Sequence, residues 1–422
     1  MSESLFVNHA WLPESGAFVS LRVVDGRIAA MGAETAPQPG DRVLEARGMA
    51  ITPGLVNGHT HAAMTLFRGF GDDMYLMEWL KTRIWPAEAR LTEEDVYWGT
   101  KLACLEMIRS GTVCFQDMYW HFHGMARAVE EMGLRVGCGA VMIDVAGPEQ
   151  AEKCKREAQQ QWEESARYSK RVKFVLTPHA IYTVSAESLR WTAEFSQRHG
   201  VPVHIHLSET HHEVEECLKQ HGVRPAFLLD RVGLLTPLVY LAHGVYLDDD
   251  ELDLIARRGA TLVTNPISNL KLAVGGIFPY ARAAARGIPV ALGTDGAASN
   301  NTLDMFQDLK IFALMQKHRE GDPTVLPAAE AWAAATGSRA PVFGQSGRIG
   351  VGEAADFLLI RRDVPEMTPE HCFTSNLVYS ATGAVVDSVV VDGRVLMQGR
   401  HVEGEEAIRQ EARERAKRVC QD

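Results

Sequence analysis

The segment GLVNGHTH, residues 54–61, opens on an apolar run and closes on two histidines spaced two apart. Seven more runs of the same make follow it: GTVCFQDMY (111–119), LRVGCGAVMID (134–144), VKFVLTPHA (172–180), VPVHIHLSE (201–209), PLVYLAHGV (237–245), ATLVTNPIS (260–268) and IPVALGTDG (288–296). Near-continuous Val, Ile, Leu and Ala is the pattern of strands buried on both faces of a parallel sheet. Helical stretches separate the runs. Thr92 with Asp95, and Asp248 with Glu251, carry a helix-start pattern, followed by apolar stripes at Leu102, Leu105 and Ile108 and at Leu252 and Ile255. The acidic run Asp248 to Asp250 reads as a solvated helix start that suits the helix dipole. Residues 151–171 and 405–418 read as solvated helices. Eight βα units in about 300 residues predict an α/β fold of the (β/α)8 TIM-barrel type. An open, doubly wound sheet of fewer strands is the competing topology. No G-x-G-x-x-G opens a helix after a strand, which weakens a dinucleotide-binding version of it.

The two ends of the chain resemble each other. VDGR occurs at 24–27 and again at 391–394, each time between β-rich runs. Asp-Gly between apolar runs signals a hairpin, because a type I′ turn needs positive φ at both central residues. Residues 1–53 and 347–400 are therefore expected to build one small β-sandwich-like domain, with two unrelated hairpins as the alternative. The barrel would span 54–346, and a C-terminal helix 401–422.

The 422 residues are 46% hydrophobic and 23% charged, with a net charge of −11. That apolar content argues against disorder. The acidic balance argues against nucleic acid or an anionic membrane as partner, since both call for a basic patch. No basic segment followed by an apolar one marks a signal peptide, and no apolar run approaches the ~18 residues of a membrane span. The seven cysteines are an odd number without a C-x-x-C pair. They fit free thiols in a reducing cytoplasm, and the absence of P-C-x-x-C excludes the cysteine-ligated deaminases of nucleic-acid bases.

Sixteen histidines are the unusual feature of the composition. His59 and His61 end the first strand, His179 the fourth, His206 the fifth and His243 the sixth, and Asp295 ends the eighth. Barrel active sites are built at those C-terminal strand ends. Spacing of two sends His59 and His61 to one face of a strand, a good start for a zinc-like site. His121 and His123 sit in an aromatic loop and read as structural. His204 shares the face of His206 one layer deeper and reads as a buried, hydrogen-bonded residue. Glu209 lies three residues past His206, where the loop can bring a carboxylate beside a metal without binding it, as a general acid–base.

These residues resemble the amidohydrolase superfamily. PGLVNGHTHAAMTLFRG with downstream HLSET, LAHG and LGTDGAASNN, plus EWL (78–80) and WPAEARLT (85–92), is similar to its 5′-methylthioadenosine/S-adenosylhomocysteine deaminase family over nearly the whole chain. The resemblance implies His59, His61, His206 and Asp295 as ligands of one divalent metal, Zn²⁺ foremost, with Fe²⁺ or Mn²⁺ as alternatives. It implies Glu209 as the acid–base and His243, with Asp295, beside the metal-bound water. Glu88 matches the ribose-binding glutamate and His179 a further substrate residue, while Ser299 and Trp79 would line the pocket. A second metal held by a strand-end lysine is not expected, because Lys173 begins the fourth strand and His179 ends it.

The implied reaction is hydrolytic deamination of an adenine nucleoside at C6. One departure bears on the substrate. The third-strand loop, CGAVMIDVAGPEQ (138–150), has no Arg or Lys to hold the carboxylate of S-adenosylhomocysteine. Methylthioadenosine or adenosine is therefore the expected substrate, unless Arg68 or Arg83 supplies the missing charge. The alternatives are a related deaminase or chlorohydrolase acting on guanine, a pterin or a triazine, and a non-catalytic barrel kept as a scaffold. A homo-oligomer stays open.

Overall fold

A computed structural model describes residues 4–338 and 344–421. The parts of the expected segments that fall on 1–3, 339–343 and 422 lie outside the described residues. Both chain ends feed one mixed sheet. Its N-terminal strands are β1 (Leu5–Leu12), β2 (Ala17–Val24), β3 (Arg27–Gly32), β4 (Arg42–Glu45) and β5 (Met49–Pro53). Gly54 then leads directly into the parallel strands: β6 (Leu55–Thr60), β7 (Thr112–Tyr119), β8 (Arg135–Met142), β9 (Val172–Phe174), β10 (Thr177–Pro178), β11 (Val203–Leu207), β12 (Val239–His243), β13 (Thr261–Thr264) and β14 (Val290–Leu292). The chain returns to the first sheet with β15 (Phe357–Arg361), β16 (Val386–Val391) and β17 (Arg394–Met397).

The eight expected runs are the eight staves of a barrel. β6, β7 and β8 pair in parallel, as do β11 to β14. The fourth stave differs from the continuous strand expected over 172–180. It is broken into β9 and β10, both paired to β8, and a bridge from Leu176 to Val203 joins it to β11. The ring closes where Asp295 N donates to His59 O at 2.9 Å, across β14 and β6. That seam needs glycine: a Cβ at Gly293 would lie 2.8 Å from His59 N.

β5 pairs with β15, so the last segment of the chain zips onto the first, and the sheet runs β17-β16-β15-β5-β1-β2-β3 with β4 on β1. Leu5, Val7, Leu21, Ile28, Leu44, Ile51, Phe357 and Leu359 form its own core. The two VDGR turns meet. Asp25, Gly26, Asp392 and Gly393 all have positive φ (50°, 75°, 51° and 76°), as type I′ turns require, and a Cβ at Gly26 would lie 2.5 Å from Asp392 Oδ1. Arg135, at the start of β8, ties the sheet to the foot of the barrel. It grips Asp356 at 2.7 and 3.0 Å and reaches Asp392 at 3.1 Å, while Lys170 adds a contact to Asp392 at 3.0 Å.

Both expected helix starts are reciprocal capping boxes, at Thr92–Asp95 and Asp248–Glu251. Asp249 pairs with Arg282 and Arg286, which fits a helix-start role for the acidic run. The terminal helix Glu405–Val419 lies on the helix Glu93–Arg109, joined by Arg109–Glu405 at 2.8 Å and by Arg418–Asp95. No helix among the described residues is long and apolar enough to cross a membrane.

Candidate active site

The C-terminal strand ends converge on one cleft that opens to solvent. His61, Trp79, Glu88, His179, His206, Glu209, His243, Asp295 and Ser299 all line it. His59 sits directly beneath, fully buried. The sequence-predicted residues are thus brought together.

His61 Nε2 and His206 Nε2 lie 3.3 Å apart, and Asp295 Oδ1 is 3.3 Å from both His59 Nε2 and His61 Nε2. Donors held at 2.0–2.1 Å from a tetrahedral ion are themselves about 3.3 Å apart. The spacing therefore matches a divalent metal. His59 Nε2 is also fully buried, and its 3.3 Å contact with Asp295 Oδ1 is not a well-directed hydrogen bond, which is costly unless something else binds it.

Each imidazole turns its other nitrogen to a fixed partner. His61 Nδ1 donates to Met118 O at 2.6 Å and His206 Nδ1 to His179 O at 2.7 Å. His59 Nδ1 meets His204 Nε2 at 2.9 Å, so His204 has the supporting, deeper position expected of it. Fixing Nδ1 in this way leaves the Nε2 atoms turned toward Asp295 and one another, where they could hold an ion. Burial pushes the His59 pKa down to about 4 and holds His206 well below its ordinary value, so both are neutral donors. Burial opposes ionisation of Asp295 as well, but the adjacent His59 and the surrounding imidazoles keep its carboxyl well below the usual range. The Ser268 and Ser299 hydroxyls both bond Asp295 Oδ2, at 2.6 and 3.0 Å.

Glu209 faces His243, with Oε2 3.9 Å from Nε2. Burial raises the Glu209 pKa against the opposing pull of His243. For His243 burial works downward, but the Glu209 and Asp295 carboxylates prevail and raise it. His243 Nδ1 is fixed by Asn269 Oδ1 at 2.8 Å. Ser208, His243 and Asp295 are non-glycine residues at positive φ (50°, 72° and 65°), a strained backbone of the kind found where side chains must be aimed.

Part of the cleft wall is aromatic. Trp79, Trp85, Tyr119 and Trp120 line it around Glu88, whose pKa is raised by burial against the opposing pull of Tyr119, His61 and Trp120. His179 Nδ1 meets the Thr183 hydroxyl at 2.8 Å, and burial lowers its pKa to about 3. No Lys or Arg lines the cleft among the described residues. Arg68 is held by Glu106 and Asn301, and Arg83 stacks 5.8 Å from the Phe70 ring. His123 pairs with Glu164 at 2.6 Å and His121 contacts Leu91 O at 3.3 Å, both away from the cleft lining.

Sequence reasoning missed Ser268, Asn269 and Glu213. The first two lie in NPISN, directly after the seventh strand, and could have been flagged as polar residues at a strand end. Glu213 stands three residues past Thr210, a readable helix-start pair.

Residues 50–396 match the amidohydrolase family. The chain is 47% identical over 380 residues to a 5′-deoxyadenosine deaminase of Methanoregula boonei, covering 89% of this chain and 86% of that one. It is 43% identical over 432 residues to a 5-methylthioadenosine/S-adenosylhomocysteine deaminase of Desulforudis audaxviator, covering 99% of each. Among solved structures, a zinc-bound adenosine deaminase from Xanthomonas campestris superposes with a TM-score of 0.90 at 33% identity, covering 98% of each chain.

Proposed function

The chain belongs to the amidohydrolase family, and from that premise we propose that it hydrolyses the C6 amino group of an adenine nucleoside, releasing ammonia. The observation that carries this reading is the cleft itself. It has a four-donor ring with the spacing of a metal site, a buried glutamate beside the ring, and a second glutamate among aromatic residues of the wall.

His59, His61, His206 and Asp295 would hold one divalent ion, zinc foremost and Fe²⁺ or Mn²⁺ as alternatives. When bound, such an ion acidifies a water toward pKa about 7 and so supplies the nucleophile near neutral pH. Glu209 accepts the proton of the attacking water and delivers it to ring N1, which leaves C6 electrophilic. The C6–O bond forms, Glu209 takes the second proton from the oxygen now bound to C6 and passes it to the amino nitrogen, and the C6–N bond breaks to release ammonia and leave the C6 carbonyl. His243 and Asp295 orient the attacking oxygen. Glu88 accepts hydrogen bonds from the ribose hydroxyls, His179 meets the ring, and Trp79 and Ser299 close the walls.

The absence of Lys and Arg from the cleft lining among the described residues sets the preference. A substrate carboxylate desolvated here would find no bidentate partner. Methylthioadenosine, 5′-deoxyadenosine and adenosine are thus preferred over S-adenosylhomocysteine. The free cysteines suit a cytoplasmic setting.

An ultraviolet assay of adenine-to-hypoxanthine conversion tests the reading across those four nucleosides, free adenine and guanine. Turnover of the uncharged nucleosides is expected to exceed that of S-adenosylhomocysteine at least tenfold. Absence of turnover for every adenine nucleoside would overturn the function, and equal turnover of S-adenosylhomocysteine would overturn the preference.

A further inference from the structure

Glu209 sits on a short turn between β11 and the helix His211–His221, and nothing in its own side chain fixes where that turn points. The turn is unusual. Ser208 has a φ of +50°, a region that a residue with a Cβ enters only when its surroundings demand it. Two main-chain bonds tether the residues before Glu209 to the next strand end: Gly244 N donates to Leu207 O at 2.9 Å and Tyr246 N to Ser208 O at 3.0 Å. Two N–H donors of the turn converge on one side chain. Ser208 N donates to Glu213 Oε1 and Glu209 N to Glu213 Oε2, each at 2.9 Å.

Glu213 is only 5% exposed. It occupies the third position of its helix, after the cap Thr210, whose hydroxyl accepts from Glu213 N at 3.2 Å. In an ordinary capping box this side chain would return to the N–H of the cap residue. Here it reaches past the cap to the two preceding N–H groups. Two convergent donors on two oxygens set the peptide plane between Ser208 and Glu209, and with it the direction in which the Glu209 side chain leaves the backbone.

We propose that Glu213 is a positioning residue for the deamination: its carboxylate clamps the Ser208 and Glu209 N–H groups and so aims Glu209 at the reacting atoms. This rests on Glu209 being the proton carrier. A helix cap with no part in the reaction would affect stability alone, so the test must separate the two.

Glu213→Gln keeps the shape but offers one acceptor oxygen to two N–H groups. A misplacement of the order of 1 Å near reacting atoms costs about 10²-fold. The variant, loaded with metal, is expected to lose about 10²-fold in kcat, with KM and metal content unchanged within about twofold. In a Glu209→Gln background the same substitution should cost less than about twofold more, because residues acting as one unit are not additive. A wild-type kcat for Glu213→Gln would overturn the proposal, and so would an equal loss in both backgrounds. Were Glu213→Gln to fail to fold, Glu213→Asp, which keeps the charge on a shorter arm, is read in the same two backgrounds. The two readings fail separately. An active Glu209→Gln enzyme removes the proton carrier, whereas an inactive Glu209→Gln beside a fully active Glu213→Gln removes only the clamp.

Discussion

The barrel is polar at both its ends, in opposite ways. At the foot, Arg135 divides its guanidinium between Asp356 and Asp392, and Lys170 joins them. Every charge there has an opposite charge at bonding distance, and Asp356 also accepts from Asp392 N at 2.8 Å. At the mouth, the histidines crowd one another, and the buried His59 Nε2 has only the Asp295 carboxylate at 3.3 Å beside it. Charges that satisfy each other hold structure together. Groups left facing like neighbours carry a cost that only a bound ion or substrate repays, and in a barrel that end is where chemistry is built.

Substitutions should separate the two ends. The largest effect is expected from loss of the ion. Chelation, or His61→Asn, should bring activity to background, and added zinc should restore the chelated wild type but not the variant, as paired metal and activity assays would read. The melting midpoint of metal-free His61→Asn should stay at or above that of the metal-free wild type, because a crowded imidazole has been removed. Next, Glu209→Gln should lose 10²–10⁴-fold in kcat with its metal content intact, the usual worth of a positioned proton transfer. A variant near wild-type rate would remove Glu209 from the reaction.

At the foot, Arg135→Ala should do the reverse. Breaking a buried pair takes from Asp356 the guanidinium that grips it, while Lys170 stays on Asp392, and costs about 3 kcal/mol of stability. Denaturant unfolding should show that loss, with kcat/KM within about twofold of wild type. A comparable fall in activity would mean the two ends are coupled. The smallest effect belongs to Glu88→Ala. Loss of hydrogen bonds to a charged group, about 1.5–3 kcal/mol, should lower kcat/KM for nucleosides about 10–100-fold and leave free adenine unaffected. Equal behaviour toward bases and nucleosides would favour a ribose-free substrate such as guanine or a triazine.

Much of this was legible in the sequence, and the reason is the period of the pattern. Staves buried on both faces are nearly pure Val, Ile, Leu and Ala, so each run stood out, and a polar residue at the end of one was conspicuous. His59, His206 and Asp295 were found that way. The break in the fourth stave was not visible, because Phe174 to Thr177 is as apolar as any intact strand. Glu213 and Asn269 were missed for a different reason. Each acts on a partner fixed only by how a loop turns, and Ser208 and His243 give no sign in sequence of their left-handed backbone. Glu88 was found by resemblance alone. Its segment looks like surface until the π-helical turn at Leu80–Ile84 and the helix Trp85–Glu88 carry it over the mouth.

The pairing of β5 with β15 has a consequence for synthesis. As the chain leaves the ribosome, β1, β2 and β3 can form their meander at once. β5 can join them, but its second edge stays open until residues 357–361 have been made. Throughout that interval β5 runs through Gly54 into the first stave of a growing barrel, with an unpaired hydrogen-bonding edge beside it. The sheet that begins first is completed last. A chain stopped before residue 357 would keep its barrel strands yet carry a bare strand edge, ready to pair with another copy.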